Sequence, residues 1–140
     1  MNIQKIVVIM FLAVVLAGCG GEKTVSISGT VTLDGQPIED CQVVFQPKGT
    51  KGGEVGLFDS VGLTDAAGKY TLTMLGARKK KGAVVGDYFV RFGWVDPNPA
   101  EEGDQPPNPP PYKLPGEVVE FTVPPRGTSS ADFQLTSNKK

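Results

Sequence analysis

The sequence contains no histidine among its 140 residues. This absence excludes Ser-His-Asp and Cys-His catalysis, in which an imidazole carries the proton, and it excludes zinc sites built on imidazole ligands. The sequence also has no Gly-Lys-Ser/Thr phosphate-binding loop and no Cys-x-x-Cys pair. The usual signatures of histidine-dependent hydrolases, nucleotide-binding proteins and thiol oxidoreductases are therefore missing.

The net charge is small, and the sequence has no long apolar run. The 14 basic and 15 acidic residues give a formal charge of -1, which implies neither a polyanionic nor a polycationic partner such as nucleic acid. The longest apolar run, residues 6–16, has 11 residues, fewer than the roughly 20 that a membrane-spanning helix needs. No stretch shows a convincing helical period, whereas 18 Gly and 12 Pro indicate many turns or a long irregular loop.

Residues 1–18 have the three parts of a signal peptide. Lys5 supplies a short positive region, residues 6–16 form an apolar region of suitable length, and Ala17 and Gly18 are small residues suited to a cleavage site. An ordinary secretory signal and an uncleaved membrane anchor are the alternatives, and the short apolar region argues against the anchor. We predict a signal peptide over residues 1–18.

The end of this segment resembles the lipobox of bacterial lipoproteins. In that family a cysteine thiol is alkylated with diacylglycerol, the chain is cut before this cysteine, and the new amino group is usually acylated. The matching residues here are Leu16, Ala17, Gly18 and Cys19. The resemblance implies a lipidated Cys19 followed by a short tether, residues 19–23, and an attachment that several acyl chains make effectively permanent.

Two further consequences follow for localisation and for the second cysteine. Asp directly after the lipidated cysteine typically retains lipoproteins at the inner membrane, so Gly20 favours the outer membrane of the cell envelope. A lipidated Cys19 leaves Cys41 without an internal disulfide partner. We expect Cys41 to be a small buried core residue, with a reactive thiol as the less favoured reading.

From Thr24 onwards the apolar residues alternate with polar ones, which is typical of β-strands with one buried face. Gly29 interrupts the first apolar face, which indicates a bulge or a close backbone contact. Asp34-Gly35 predicts a hairpin turn. A second strand follows, and its inward residues are predicted to be Cys41, Val43 and Phe45.

The remaining strands are predicted from the same alternation. Residues 60–64 and 69–74 flank a turn in which Asp65 caps backbone N–H groups and Gly68 takes a positive φ. A later strand over residues 87–95 places four aromatic or apolar side chains on one face: Tyr88, Val90, Phe92 and Trp94. The last two strands cover residues 117–123 and 130–136, and Ala131, Phe133 and Leu135 point inward in the second of them.

A proline-rich segment separates the strand 87–95 from the last two. Eight of the twenty residues 96–115 are proline, so this segment cannot join a sheet. The fold class is therefore all-β, and about seven short strands predict an antiparallel two-sheet sandwich over residues 24–136. Residues 137–140 read as a polar tail.

Four stretches resemble the carboxypeptidase regulatory-like domain, and together they extend over almost the whole of residues 24–136. They are residues 31–47, with Leu33-Asp34-Gly35-Gln36-Pro37, residues 62–72, with Thr64-Asp65-Ala66-Ala67-Gly68, residues 82–91, with Gly86-Asp87-Tyr88, and residues 131–135, with Ala131-Asp132-Phe133-Gln134-Leu135. The combination is similar to small lipoproteins of planctomycete-type bacteria. The resemblance implies a transthyretin-like (prealbumin-like) sandwich, and because related enzymes use histidine, it implies no hydrolase activity here.

Four candidate contact sites remain, each with a plainer alternative. Trp94 and Tyr112 are candidate ligand or partner contacts, but aromatic residues at strand spacing are more often core. Residues 106–112 could dock into an aromatic groove of a partner, or form a stiff surface loop. Asp65 with Asp59 could hold calcium, although turn capping is favoured. Residues 78–81 could touch anionic lipid, although a solvated loop is favoured.

No cofactor and no catalytic or metal-ligating residue is predicted. The sequence favours a non-catalytic lipoprotein, anchored in the cell envelope through Cys19, that acts as a structural or protein-interaction module. The alternative is a carbohydrate-binding module at the cell surface that uses Trp94 or Tyr112.

Overall fold

A computed structural model describes residues 23–49, 58–76, 79–99 and 108–137. These residues form an all-β fold without a helix. The strands are β1 (Thr24–Val25), β2 (Ser28–Leu33), β3 (Gln36–Pro37), β4 (Cys41–Pro47), β5 (Ser60–Leu63), β6 (Lys69–Thr71), β7 (Thr73–Met74), β8 (Lys80–Lys81), β9 (Ala83–Val84), β10 (Gly86–Trp94), β11 (Val119–Val123) and β12 (Phe133–Leu135).

The strands pair into three sheets. The largest has six strands in the order β11-β10-β4-β5-β7-β8, and all of its pairs are antiparallel. A four-stranded sheet has the order β12-β2-β3, and β6 also pairs with β2. The third sheet is the short antiparallel pair β1-β9. Sheet pairing is antiparallel except between β12 and β2, which run parallel.

A single core joins the two larger sheets. Alternate residues of β2, β4 and β10 are buried, as the sequence pattern predicts for half-buried strands. Phe133 of the four-stranded sheet contacts rings of the six-stranded sheet edge-on, with centroids 5.2 Å from Phe92 and 6.1 Å from Phe45. Such edge-to-face contacts are favourable beyond the area that they bury. The predicted inward positions Cys41, Val43 and Phe45 are all fully buried.

The described residues contain twelve strands where seven were predicted, because two predicted strands divide as the backbone changes sheets, and because β3, β8 and β9 are short strands that the sequence did not indicate. Over residues 69–74, β6 pairs with β2 and β7 pairs with β5, and the change occurs at Leu72. The N–H group of Leu72 donates to Ile27 O at 2.9 Å, and its carbonyl accepts from Gly82 N at 2.7 Å. The first predicted strand likewise divides at residues 26–27, where β1 leaves for β9.

The two predicted turns form where the sequence places them, at Asp34-Gly35 and at residues 65–68. Asp34 and Gly35 both have positive φ values, 51° and 84°, as a two-residue hairpin between β2 and β3 requires. The carboxylate of Asp65 accepts hydrogen bonds from Ala67 N and Lys69 N, each at 2.9 Å. Gly68 has a φ of 72°. Capping by Asp65 and the positive φ of Gly68 are thereby confirmed.

The register defines two ends of the fold. We call the end at which β1 begins the N-terminal end. At this end β4 and β7 finish, and β5, β8 and β10 start. The register pairs that show this are Tyr88↔Pro47, Ser60↔Met74 and Met74↔Lys80. The opposite end holds the start of β4 and the finish of β5 and β10, as the pairs Gln42↔Leu63 and Trp94↔Cys41 show.

Several predictions fall on residues that the structure does not describe. The signal peptide, the lipobox Leu16-Ala17-Gly18-Cys19 and most of the tether 19–23 lie outside the described residues, as do residues 100–107 of the proline-rich segment. Within the described ranges, no helix is long and apolar enough to cross a membrane. Residues 108–115 of the proline-rich segment contain no strand, in agreement with their proline content.

Candidate functional site

Trp94 and Tyr112, which lie 18 positions apart in the sequence, line the same open groove at the opposite end of the fold. The groove has a volume of about 360 Å³. One wall comes from the last residues of β10 and the other from the proline-rich segment, and the lining residues are Phe92, Gly93, Trp94, Pro110, Tyr112, Lys113 and Leu114. The two aromatic residues that the sequence offers as candidate contacts therefore share one site.

The position of Trp94 follows from the pairing of β10. Its register partner is Cys41 on β4, and the next residue continues the ladder because Val95 N donates to Asp40 O at 3.0 Å. The predicted common face of β10 changes along its length: Tyr88 and Val90 are buried, whereas Phe92 and Trp94 are only half-buried. Trp94 therefore keeps part of its indole accessible at the end of the sheet.

Tyr112 is held in place by its hydroxyl group. Tyr112 Oη donates to the carbonyl oxygen of Glu39 at 2.8 Å, a residue 73 positions earlier. Burial raises the pKa of Tyr112 well above its ordinary value, and the nearby Cys41 and Asp40 raise it further. The phenol is consequently a neutral hydrogen-bond donor at physiological pH. Tyr112 also packs with Leu114 against the core, so its role is partly structural.

The segment carrying Tyr112 is fastened at Asp96. This carboxylate accepts hydrogen bonds from Asn98 N at 2.8 Å and from Asn108 Nδ2 at 3.0 Å. Asn98 precedes and Asn108 follows residues 100–107, so one side chain ties both sides of the proline-rich segment to the end of β10. One side of the groove is therefore formed by the sheet. The other side is formed by the proline-rich segment, which the hydrogen bonds of Asp96 hold at the end of β10.

Cys41 lies beneath this region and is fully buried. Burial raises the pKa of its thiol to about 11, and a backbone hydrogen bond from Gly93 opposes this only in part. Because the thiolate is the reactive form, Cys41 is inert at neutral pH. The expectation of a buried core cysteine is confirmed.

The hypothesis that Asp59 and Asp65 hold a calcium ion together is wrong, because the two residues lie at opposite ends of β5. Asp59 precedes β5 and is buried at the N-terminal end, whereas Asp65 follows β5 at the opposite end. The two carboxylates cannot share one cation. No group of three or more acidic or cysteine side chains able to hold a metal occurs among the described residues.

A larger polar groove was not indicated by the sequence. Its volume is about 690 Å³ and it lies over β2 and β6, lined by Ser28, Gly29, Thr30, Leu63, Asp65, Lys69, Tyr70, Thr71 and Ser129. The outward-facing Ser and Thr residues of β2 are not a specific signal of this groove, because any solvent-facing strand carries such residues. Its carboxylate, Asp65, is already engaged in capping a turn.

Of the basic run 78–81, Arg78 lies outside the described residues. Lys80 and Lys81 form β8, which pairs with β7 at the N-terminal end. This run is therefore partly an edge strand and not entirely a loop, which its three consecutive lysines did not indicate.

Comparison with models of protein families, with characterised proteins and with solved structures finds no match to this chain.

Proposed function

We propose that this chain is a non-catalytic lipoprotein of the cell envelope that acts as a structural or protein-interaction module. One observation carries the proposal: the chain enters β1 at one end of the fold, and the Trp94–Tyr112 groove opens at the other. A lipid on Cys19, just before the described residues, would hold the N-terminal end at the membrane. The groove would then face away from the membrane, where a partner can reach it.

The fold that we propose is a transthyretin-like two-sheet sandwich of the carboxypeptidase regulatory-like type. The contacts of Phe133 with Phe45 and Phe92 support it, because they join the four-stranded sheet to the six-stranded one. Strands that pass from one sheet to the other, as at Leu72, are common at the corners of such sandwiches.

A non-catalytic role is consistent with the chemistry of the chain. Its 140 residues include no histidine, and the thiol of Cys41 is buried and protonated at neutral pH because its pKa is about 11. The sequence after Cys19 favours the outer membrane, because Gly20 stands at the position where Asp typically retains a lipoprotein at the inner membrane.

The second candidate is a carbohydrate-binding module at the cell surface. It is favoured by the half-buried Trp94, whose indole lines an open groove, because sugar rings stack on accessible aromatic faces. Lys113 and the edge of Tyr112 add polar atoms beside this platform. The same features suit a proline-rich or apolar peptide, so the chemistry of the occupant separates the two candidates.

Affinity capture of the native lipoprotein after mild crosslinking tests both candidates, with proteins and glycans scored together. We expect a protein partner that is lost in Trp94→Ala and retained in Phe58→Ala, which removes an exposed aromatic side chain at the other end. Recovery of glycan alone would support the carbohydrate-binding module. Capture that is insensitive to Trp94→Ala would contradict a role for the groove.

The anchor is tested separately with Cys19→Ala. We expect the variant to be released from the membrane or to stall before cleavage, because the lipid is attached to this thiol. Normal cleavage with unchanged membrane retention would disprove lipidation at this position.

A further inference from the structure

Positive charge is concentrated at the N-terminal end of the fold. Lys23 precedes β1, Lys48 follows β4, and the remaining three lysines are in or beside β8. The set is Lys23, Lys48, Lys79, Lys80 and Lys81. Of the carboxylates that the structure describes, two are exposed at this end: Glu120 pairs with Lys48 at 2.9 Å, and Asp87 accepts a hydrogen bond from Thr122 Oγ1 at 2.6 Å. A third, Asp59, is buried. Among the described residues, Lys23, Lys79, Lys80 and Lys81 therefore dominate the charge of this end.

Negative charge is concentrated at the opposite end. Its carboxylates occupy the turns and loops next to the strand termini there, and they are Asp34, Glu39, Asp40, Asp65, Asp96 and Glu117. Only two lysines of the described residues, Lys69 and Lys113, lie at this end. The net charge of the chain is near zero, yet in the part of the chain that the structure describes, the fold separates the two signs along the strand direction.

Two exposed apolar side chains accompany the lysines. Phe58 is 45% exposed and Val85 is 42% exposed. Both line one groove of about 260 Å³. Its other apolar side chains are Pro47, Val84 and Tyr88, and its charged side chains are Lys48 and Asp87. The opposite end also exposes apolar residues, such as Leu63 at 51%, but Leu63 lies in a groove with one acid, Asp65, and one base, Lys69. What distinguishes the N-terminal end, among the described residues, is the number of lysines beside its exposed apolar side chains.

The route of the chain brings the N-terminal tether to this same surface. Thr24 is paired with Val84, the residue before Val85. β1 is held tightly, because a Cβ atom at Gly82 would lie 1.8 Å from Val25 O, so no larger residue fits between the two segments. Three residues separate Cys19 from Lys23 in the sequence; fully extended, they span at most about 14 Å.

We propose that the N-terminal end, with Phe58, Val85 and the lysines beside them, is a docking surface for an anionic phospholipid membrane. This inference rests on the proposed lipid anchor at Cys19, which places the surface within reach of the headgroups. The lysines face the lipid phosphates, and Phe58 and Val85 enter the boundary between headgroups and acyl chains. The domain then stands upright on the membrane with the Trp94–Tyr112 groove outermost.

The separation of charge makes this orientation the favoured one. β10 has nine residues, a length of about 30 Å at 3.3 Å per residue. That exceeds the Debye length of about 8 Å at physiological ionic strength, so the acidic end does not feel the membrane in this orientation. With the domain inverted, the acidic end would face the anionic lipid and be repelled.

The test uses the mature lipidated protein in vesicles of phosphatidylglycerol with phosphatidylcholine and in vesicles of phosphatidylcholine alone. Amine-reactive labelling is read lysine by lysine with mass spectrometry. We expect labelling of Lys79 and Lys81 to fall about threefold to sevenfold on the anionic vesicles, because the negative surface potential raises the local proton concentration by that factor. Labelling of Lys69 and Lys113 should not change, and high salt should abolish the difference.

Matched variants separate the apolar contribution from the charged one. Phe58→Ser should restore part of the labelling of Lys79 and Lys81 on anionic vesicles, whereas Leu63→Ser, a similarly exposed residue at the other end, should not. The triple variant Lys79→Gln, Lys80→Gln, Lys81→Gln should restore the labelling of Lys23. Thermal unfolding of each variant identifies any that fails to fold, and the wild-type comparison between the two vesicle types needs no variant.

Failure of this inference is distinguishable from failure of the proposed anchor. A protein that carries lipid on Cys19 and stays with the vesicles, yet shows equal labelling on both vesicle types, would overturn the docking surface and leave the anchor intact. Protection of Lys69 and Lys113 instead would establish the inverted orientation and overturn the proposal. Lack of lipid on Cys19 would remove the anchor and the docking surface together.

Discussion

Tyr70 and Gly29 are register partners across β6 and β2, and both meet the carbonyl oxygen of Ala131. Tyr70 Oη donates to this oxygen at 2.6 Å. A Cβ atom on Gly29 would lie only 2.0 Å from it. The absence of a side chain at Gly29 therefore lets the segment before β12 approach β2, and the tyrosine satisfies the carbonyl that this approach buries.

Gly29→Ala is expected to destabilise the protein by at least about 2 kcal/mol, because a contact of 2.0 Å with backbone forces β2 and the segment at Ala131 apart. Chemical denaturation measures the change. Gly116→Ala is the matched control: nothing lies within 4 Å of its added Cβ atom, so it should be nearly neutral. An equally small effect of Gly29→Ala would contradict the close approach.

Tyr70→Phe is expected to cost about 1–2 kcal/mol, since it leaves the carbonyl of Ala131 without its buried donor while keeping the aromatic ring. The free energy of unfolding at neutral pH is the measurement. Thr71→Val, at the exposed neighbouring position of β6, should change it by less than about 0.5 kcal/mol. If the two variants were equally stable, the hydrogen bond would make no net contribution to the free energy of unfolding.

Much of the core is predictable from the sequence because alternation is a local property. Val43 and Phe45 are buried for the reason that the pattern gives, and Asp34 and Gly35 adopt the turn that their small or absent side chains permit. The change of sheet at Leu72 was not predictable, because it depends on hydrogen bonds to Ile27 and Gly82. Distant contacts of this kind leave no periodic trace in the chain.

The same distinction holds for the candidate site. Trp94 and Tyr112 stand out singly as aromatic residues near the proline-rich segment, but their meeting requires the hydrogen bond from Tyr112 to Glu39, 73 positions away. The division of charge between the two ends is likewise invisible in a net charge of -1. It emerges only when the strand register brings Lys48, Lys80 and Lys23 to one end.

Asp65→Ala is expected to cost about 1 kcal/mol, because the carboxylate accepts from two backbone N–H groups, those of Ala67 and Lys69. Asp65→Asn keeps one amide oxygen as an acceptor and should retain most of the stability. Thermal unfolding in the presence and absence of calcium gives both results in one series. A stabilisation by calcium that is lost in Asp65→Asn would contradict a purely structural role for this carboxylate.

Cys41 gives a prediction in the alkaline range. Its thiol has a pKa of about 11 in the fold, raised from 9.0 by burial. Above pH 9 the unfolded chain therefore loses this proton while the folded protein retains it, so unfolding becomes more favourable as pH rises. The contribution to stability is complete below pH 9 and is lost as the pH approaches 11, with a slope of up to about 1.4 kcal/mol per pH unit.

The measurement is the free energy of unfolding between pH 8 and 10, compared in the wild type and in Cys41→Ala. We expect the wild type to lose stability above pH 9 and the variant to lose less, although the smaller side chain lowers its stability at neutral pH. Burial also raises the pKa of Tyr70 and of Tyr112. Their ionisation adds to the loss of stability only at higher pH, since their ordinary pKa is 10.0. A thiol reagent provides an independent check: at pH 7.5 it should modify Cys41 only in the unfolded protein. Rapid modification of the folded protein, or identical pH slopes in the two proteins, would contradict the burial of this thiol as the cause.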